Sequence, residues 1–229
     1  MAKAVDTQKK HPVDISKVYA IVKNEFAQHH MPVVDLIQFQ TNDPFKVLVT
    51  TILSARTKDE TTAQAAQRLF SEISTLNDLN KLSIAAIEKL IYPVGFYRNK
   101  AVYLKHLPDA VLNLFNGIIP HTVEELVKLP GVGRKTANLV VAVAFDKPAV
   151  CVDIHVHRIC NRLGYVSTKT PFETEMKLRE ILPVMYWTTI NSYLVSFGQH
   201  LCTPINPHCN VCPIKKYCNR INVVTKFEV

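Results

Sequence analysis

Four cysteines towards the C-terminus stand as Cys202-x6-Cys209-x2-Cys212-x5-Cys218, in a stretch that also holds Pro204, Pro207 and Pro213. Thiolates are soft ligands. Four of them in a loop with no hydrophobic period point to one metal centre, either a tetrahedral zinc or an iron–sulfur cluster. Structural zinc more often takes two short C-x2-C pairs separated by a longer loop. Here one such pair is flanked by two ligands at unequal distances, which favours a [4Fe–4S] cluster over zinc. Of the six cysteines, the remaining Cys151 and Cys160 lie in apolar runs and read as small core residues. In a reducing compartment this usage means metal ligation rather than disulfides.

A second chemical signal is Leu129-Pro-Gly-Val-Gly-Arg-Lys-Thr-Ala-Asn-Leu-Val-Val141. A helix over 124–128 should stop at Pro130, Gly131 and Gly133 permit positive φ or close backbone approach, and a new helix should start near Arg134. Backbone amides and the positive end of the dipole make such a start a phosphate seat. This is a helix–hairpin–helix, which grips a nucleic-acid backbone without reading bases. The alternative is an ordinary corner in a helical bundle, but the basic residues that follow the glycines favour the former.

Lys135 falls in the first turn of the second helix. The helix dipole there disfavours its ammonium form, and desolvation in a cleft would act in the same direction. A neutral amine is what attack on a sugar carbon requires. A plain phosphate contact fits the same position equally well. Asp153 weighs towards chemistry, standing in the apolar run Val150-Cys-Val-Asp-Ile-His-Val-His157, where a carboxylate needs a partner or a task. It also suits the N-cap of a helix over 154–163. Both roles can hold at once, because an aspartate capping a helix at a cleft can still take a proton from an amine.

The elements that must position these groups read as helix after helix. Asp43-Pro44 is a cap followed by proline at the first helical position, leading into a helix over 45–55. Further helices are expected over 15–26, over 60–73 with Asp59 as cap, and over 84–91, 100–115 and 186–200. Thr122-Val-Glu-Glu125 and Thr170-Pro-Phe-Glu173 have capping-box spacing, and the helix opened by the second ends at Pro183. Sustained alternation is absent, and Ala149-Val-Cys-Val152 reads as a buried connector. The expected class is all-α.

Bulk properties narrow the field further. A chain of 229 residues with 48% hydrophobic and 20% charged residues is ordinary for one or two globular domains, which excludes wholesale disorder. No apolar run approaches the ~20 residues needed to span a bilayer. Residues 1–13 have no apolar core and no arginine, so they read as a frayed tail, neither secretory signal nor transit peptide. The net charge of +8 points to a polyanionic partner.

Hairpin, lysine, aspartate and cysteine loop in this order resemble the endonuclease III family, the iron–sulfur helix–hairpin–helix DNA glycosylases and AP lyases. The resemblance covers roughly Asp43 to Asn219. It rests on Leu-Pro-Gly-Val-Gly-Arg-Lys-Thr-Ala-Asn, Val-Asp-Ile-His-Val-His-Arg and the cysteine loop. It implies two helical domains with a DNA-binding cleft between them. One is a six-helix domain over 37–147, holding the helix–hairpin–helix at about 124–145. The other, 1–36 plus 148–229, is an iron–sulfur domain with its cluster loop at 202–218. Lys135 is implied as the Schiff-base nucleophile and Asp153 as the catalytic aspartate. Cys202, Cys209, Cys212 and Cys218 are implied as ligands of a structural [4Fe–4S] cluster. DNA contacts are expected from Arg56, from Gly131, Val132, Gly133 and Arg134 of the hairpin, from His155, and from Lys215 and Lys216, with Arg220 beside them.

The implied reaction is base excision on double-stranded DNA carrying oxidised pyrimidines or abasic sites, by a monomeric protein of the cytoplasm and nucleoid. Arg56 departs from the family, many of whose bacterial members carry glutamine there to plug the gap left by the flipped base. Its length and charge bear on opposite-base preference. A mismatch glycosylase acting on adenine or thymine through water is a competing reading. The adenine enzymes resemble this fold but usually lack the lysine and carry an upstream glutamate, where this chain shows Thr50 and Thr51. A non-catalytic DNA-binding or redox-sensing protein would have no need of both Lys135 and Asp153.

Overall fold

The computed structural model describes residues 12–27 and 33–223. Residues 1–11, most of the stretch that reads as a frayed tail, lie outside them. Among the described residues every regular element is helical, as the hydrophobic spacing requires. In chain order the first helices are α1 (Ile15–Phe26), α2 (Val33–Thr41), α3 (Pro44–Ser54), α4 (Asp59–Glu72), α5 (Ile84–Ile91) and α6 (Tyr97–Phe115). They are followed by α7 (Val123–Leu126), α8 (Arg134–Phe145), α9 (Ile154–Leu163), α10 (Pro171–Ile181) and α11 (Ile190–His200). No helix among the described residues is long and apolar enough to cross a membrane.

The chain divides into two compact units, Met31–Cys151 and the combination of Met1–His30 with Val152–Val229. The sequence places these boundaries at 36/37 and 147/148. Apolar packing moves both. In α2, Val33 and Val34 are buried against Val47, with Ile37, Ala63, Leu139 and Val143 packed around them. At the other end Ala149 joins the main core of the same unit.

That core is built around α3. Phe45, Val47, Leu48, Val49, Ile52 and Leu53 are all buried, and α2, α4, α6 and α8 pack on this one helix. Each such side chain contributes roughly 1.5–3 kcal/mol on full burial, so α3 is the scaffold against which α8 is set. Its start is fixed locally: Asp43 Oδ1 accepts the Phe45 N–H at 2.9 Å, and Pro44 opens the helix. A helix whose unpaired first amides are met by an aspartate is more stable by about 1 kcal/mol than one capped by alanine.

The second unit packs α1 against α11, and α9 against both α10 and α11. Val18 and Val22 of α1, Val156 and Ile159 of α9, and Leu194 and Phe197 of α11 are buried there. The Tyr19 ring stacks on Tyr186 at 3.9 Å, and its hydroxyl bonds Thr189 Oγ1 at 2.6 Å.

Three boundaries differ from expectation for identifiable reasons. Asp59 lies inside α4 rather than capping it, because its Oδ2 accepts from Val33 N, the first amide of α2, at 3.3 Å. The expected helix over 186–200 is split into a 3-10 turn at Val184–Tyr186 and α11. There Trp187 turns back so that its Nε1 donates to Leu182 O at 2.9 Å. The helix expected from Lys100 begins instead at Tyr97, preceded by Phe96 in the left-handed region at φ 57°. Asp43→Ala removes the cap of α3 and is expected to lower stability by about 1 kcal/mol in urea unfolding; an unchanged midpoint would contradict the role given to this cap.

Candidate nucleic-acid interface and metal centre

The hairpin forms where the sequence places it. Thr122 Oγ1 accepts from Glu125 N at 3.3 Å and donates to Glu125 Oε2 at 2.6 Å, which starts α7. The helical turns end before Pro130, and α8 starts at Arg134 with Gly133 as its N-cap. Gly131 carries the left-handed φ of 75°. A Cβ there would also lie 2.6 Å from the Tyr103 ring of α6, so the position is closed to other residues twice over. Gly133 adopts φ −88°, outside the left-handed region. Its use is space: a Cβ added there would meet nothing within 4 Å, so the backbone stands open to an approaching chain.

Val132 is buried in the core of this unit, so only its backbone is left to contact a ligand. Arg134 is half-buried and Lys135 is exposed in the first turn of α8. The opposite face of α8 is apolar, with Ala137, Val140, Val141 and Ala142 buried. Cys151 closes the unit below it, its thiol directed at Lys135 O at 3.6 Å. Arg56 is exposed on the turn after α3, at a left-handed φ of 55°, with its guanidinium carbon 5.5 Å from the Phe96 ring.

Asp153 belongs to the other unit. It is 8% exposed and caps α9, Oδ1 accepting from His155 N at 2.8 Å and Val156 N at 2.9 Å. The N-cap role is thus present, and it fixes the direction of the carboxylate. His155 is half-buried, its Nδ1 3.1 Å from Arg158 Nη2. Lys215 and Lys216 are exposed on a 3-10 turn within the cysteine loop.

The cysteine loop docks on the C-terminal end of α9 by exchange of hydrogen bonds in both directions. Asn219 N donates to Leu163 O at 3.2 Å and Ile221 N to Arg162 O at 2.9 Å, meeting carbonyls that the helix end leaves over. In return Arg158 donates to Gly198 O and Cys202 O, and Arg162 to Thr203 O and Pro204 O. Cys202, Cys209, Cys212 and Cys218 all line one cavity, walled by apolar groups such as Ile159, Phe197 and Ile214. Two sulfurs already receive N–H donors, Cys202 from Arg162 Nη1 and Cys218 from Arg220 N, each at 3.4 Å.

Burial pushes the Cys212 thiol up to about 11 and raises those of Cys209 and Cys218, with neighbouring thiols adding to the effect. Four thiolates there require compensating positive charge, which a bound metal centre supplies. Soft donors around one cavity, apolar walls and N–H donors to sulfur fit an iron–sulfur cluster. Among the described residues no three His, Cys, Asp or Glu side chains form a group that would hold a single ion.

Two participants were invisible to sequence reasoning. Lys100 is 5% exposed and turned inward beneath the Arg56 turn, and Tyr103 fills the space under Gly131. A lysine and a tyrosine on a long helix carry no signal of these contacts on their own.

Comparison with known proteins bears on the family of the chain. A family model described as HhH-GPD superfamily base excision DNA repair protein matches residues 49–184. Endonuclease III of Thermotoga maritima is 47% identical over 187 residues, which cover 82% of this chain and 88% of that protein. A solved non-covalent endonuclease III–DNA complex matches with a TM-score of 0.80 at 33% identity, over 90% of this chain and 94% of that one. A trapped endonuclease III–DNA covalent intermediate with an estranged adenine matches at 0.75 and 32%, over 90% and 95%.

Gly131→Ala should cost about 1–3 kcal/mol through backbone strain and the contact with Tyr103, read by urea unfolding. An alanine variant of wild-type stability would contradict the account of this turn.

Proposed function

Because the chain belongs to the HhH-GPD superfamily of base excision DNA repair proteins, and within it to the endonuclease III family, we propose that this DNA glycosylase excises oxidised pyrimidines and then nicks the abasic strand through a lysine imine. The observation that carries the reading is Lys135, exposed in the first turn of α8 directly after the glycine hairpin. A phosphate gripped at that helix start brings the neighbouring sugar to the lysine.

The damaged nucleotide is turned out of the duplex. The Lys135 amine attacks C1′, the C1′–N bond breaks, and the base leaves with the electron pair and takes up a proton. Opening of the sugar ring leaves an imine between Lys135 and C1′. Loss of a C2′ proton then expels the 3′ phosphate by β-elimination. The covalent link divides one difficult cleavage into easier steps.

Asp153 takes the proton that the attacking amine sheds and balances the positive charge that develops on nitrogen. Its two backbone N–H donors hold the carboxylate at a fixed angle at the start of α9. Arg56 fills the gap left by the extruded base. Cys202, Cys209, Cys212 and Cys218 would hold a [4Fe–4S] cluster, which supplies a rigid cross-link of the loop carrying Lys215 and Lys216. The partner is double-stranded DNA with an oxidised pyrimidine or an abasic site, met by a monomer in the cytoplasm and nucleoid.

Single-turnover assays on a duplex with one thymine glycol, scoring base release and nicking separately, test this reading. Lys135→Gln should lose both steps by at least about 10³-fold, and retained nicking would remove Lys135 as nucleophile. Asp153→Asn should slow turnover by about 10²-fold or more while DNA affinity stays near wild type; an unchanged rate would reduce Asp153 to a helix cap. Cys212→Ser should lose the brown absorbance of the purified protein, whereas wild type loaded with zinc and no iron would refute the cluster.

A further inference from the structure

The turn that carries Arg56 is held from beneath by a buried lysine. Lys100, in the first turn of α6, donates from Nζ to Leu53 O at 2.8 Å, to Ala55 O at 2.6 Å and to Thr57 Oγ1 at 3.3 Å. These acceptors bracket Arg56 on both sides. Leu53 O belongs to the last turn of α3, where helix carbonyls lack intrahelical partners and the dipole is negative, a seat for an ammonium. Among the described residues Lys100 pairs with no carboxylate. Burial pushes its amine down to about 8, so near neutral pH it remains charged and a full donor.

A second contact closes the turn from the side. Gly95 N donates to Thr57 Oγ1 at 3.1 Å. A Cβ on Gly95 would lie 2.5 Å from the Arg56 carbonyl oxygen, so only glycine lets the two turns meet. Ordinary turns need no buried ammonium, and a charge taken out of water is costly unless its hydrogen bonds serve the structure. A helix C-terminus can equally be closed by a glycine in the left-handed region. Here the left-handed residue is Arg56, an exposed arginine, which is disfavoured there without support.

We propose that Lys100 is a positioning residue: its buried side chain pins the Leu53 and Ala55 carbonyls before Arg56 and the Thr57 hydroxyl after it, and so holds the guanidinium at the height and angle from which it enters the gap in lesion-bearing DNA. The inference rests on the gap-filling role of Arg56 proposed above. Replacing Lys100 by a residue of similar length that cannot donate releases the turn without emptying the niche. The effect should then appear only where an opposite strand is present.

The test compares wild type, Lys100→Met, Arg56→Ala and the double variant in single-turnover nicking of one abasic site, in duplex and in single-stranded DNA. Lys100→Met should lower the duplex-to-single-strand rate ratio by about tenfold, the size expected for misplacement of a positioned group. The double variant should be no worse than Arg56→Ala alone. A ratio unchanged from wild type, or losses that multiply in the double variant, would overturn the inference. Should Arg56→Ala leave the ratio unchanged, the gap-filling reading itself fails, and this inference with it. Should Lys100→Met not fold, Gly95→Ala displaces the Arg56 carbonyl with Lys100 intact. It should reduce the same ratio, and a wild-type ratio in Gly95→Ala would overturn the proposal.

Discussion

An α-helix is positive at its start, and α8 places an arginine and a lysine there with no acidic residue in its first turn. Some other helices of this chain carry the usual acidic complement. α4 begins with Asp59 and Glu60, α7 with Glu124 and Glu125, and α10 carries Glu173 in its first turn. Like charges at a helix start are unfavourable by a few tenths to about 1 kcal/mol each. The other face of α8 can bear that cost, because Ala137, Val140, Val141 and Ala142 are buried against the core built on α3. A DNA phosphate seated at this start, as proposed, would relieve the conflict.

The other unit is organised along a single helix. α9 begins at Asp153, whose carboxylate is held by two amides, and ends at carbonyls that accept from Asn219 and Ile221 of the cysteine loop. Arg158 and Arg162, one turn apart on α9, hold the carbonyls of the incoming strand of that loop. Whatever orders the four thiols therefore also orders the C-terminal end of the helix that Asp153 caps. A metal centre held by those thiols, as proposed, would therefore act on the fold of this loop and helix.

Much of this was legible in the residues because the signals were local. Asp43-Pro44, Thr122, Thr170 and Asp153 each mark a helix start with a side chain that meets its own first amides, and α3, α7, α10 and α9 begin there. The glycines of the hairpin and the spacing of the cysteines are likewise written in short windows. What escaped depended on distant partners. Asp59 looked like a cap but is drawn to the first amide of α2, and Trp187 breaks a helical pattern by reaching back to Leu182. Lys100 sits among ordinary helix-surface residues in sequence, yet folding places it under three oxygens contributed from some 45 residues away. Of the two uses read for the hairpin glycines, Gly133 serves the second, close backbone approach without a positive φ.

The central claim is that the residue at the positive end of α8 forms the covalent link to the sugar. Borohydride reduction of the wild-type protein mixed with duplex DNA containing one abasic site, followed by peptide mapping of the adduct, addresses it directly. The account predicts a stable protein–DNA adduct with the modified residue at Lys135. An adduct mapping to another amine, or base release with no adduct at all, would contradict it.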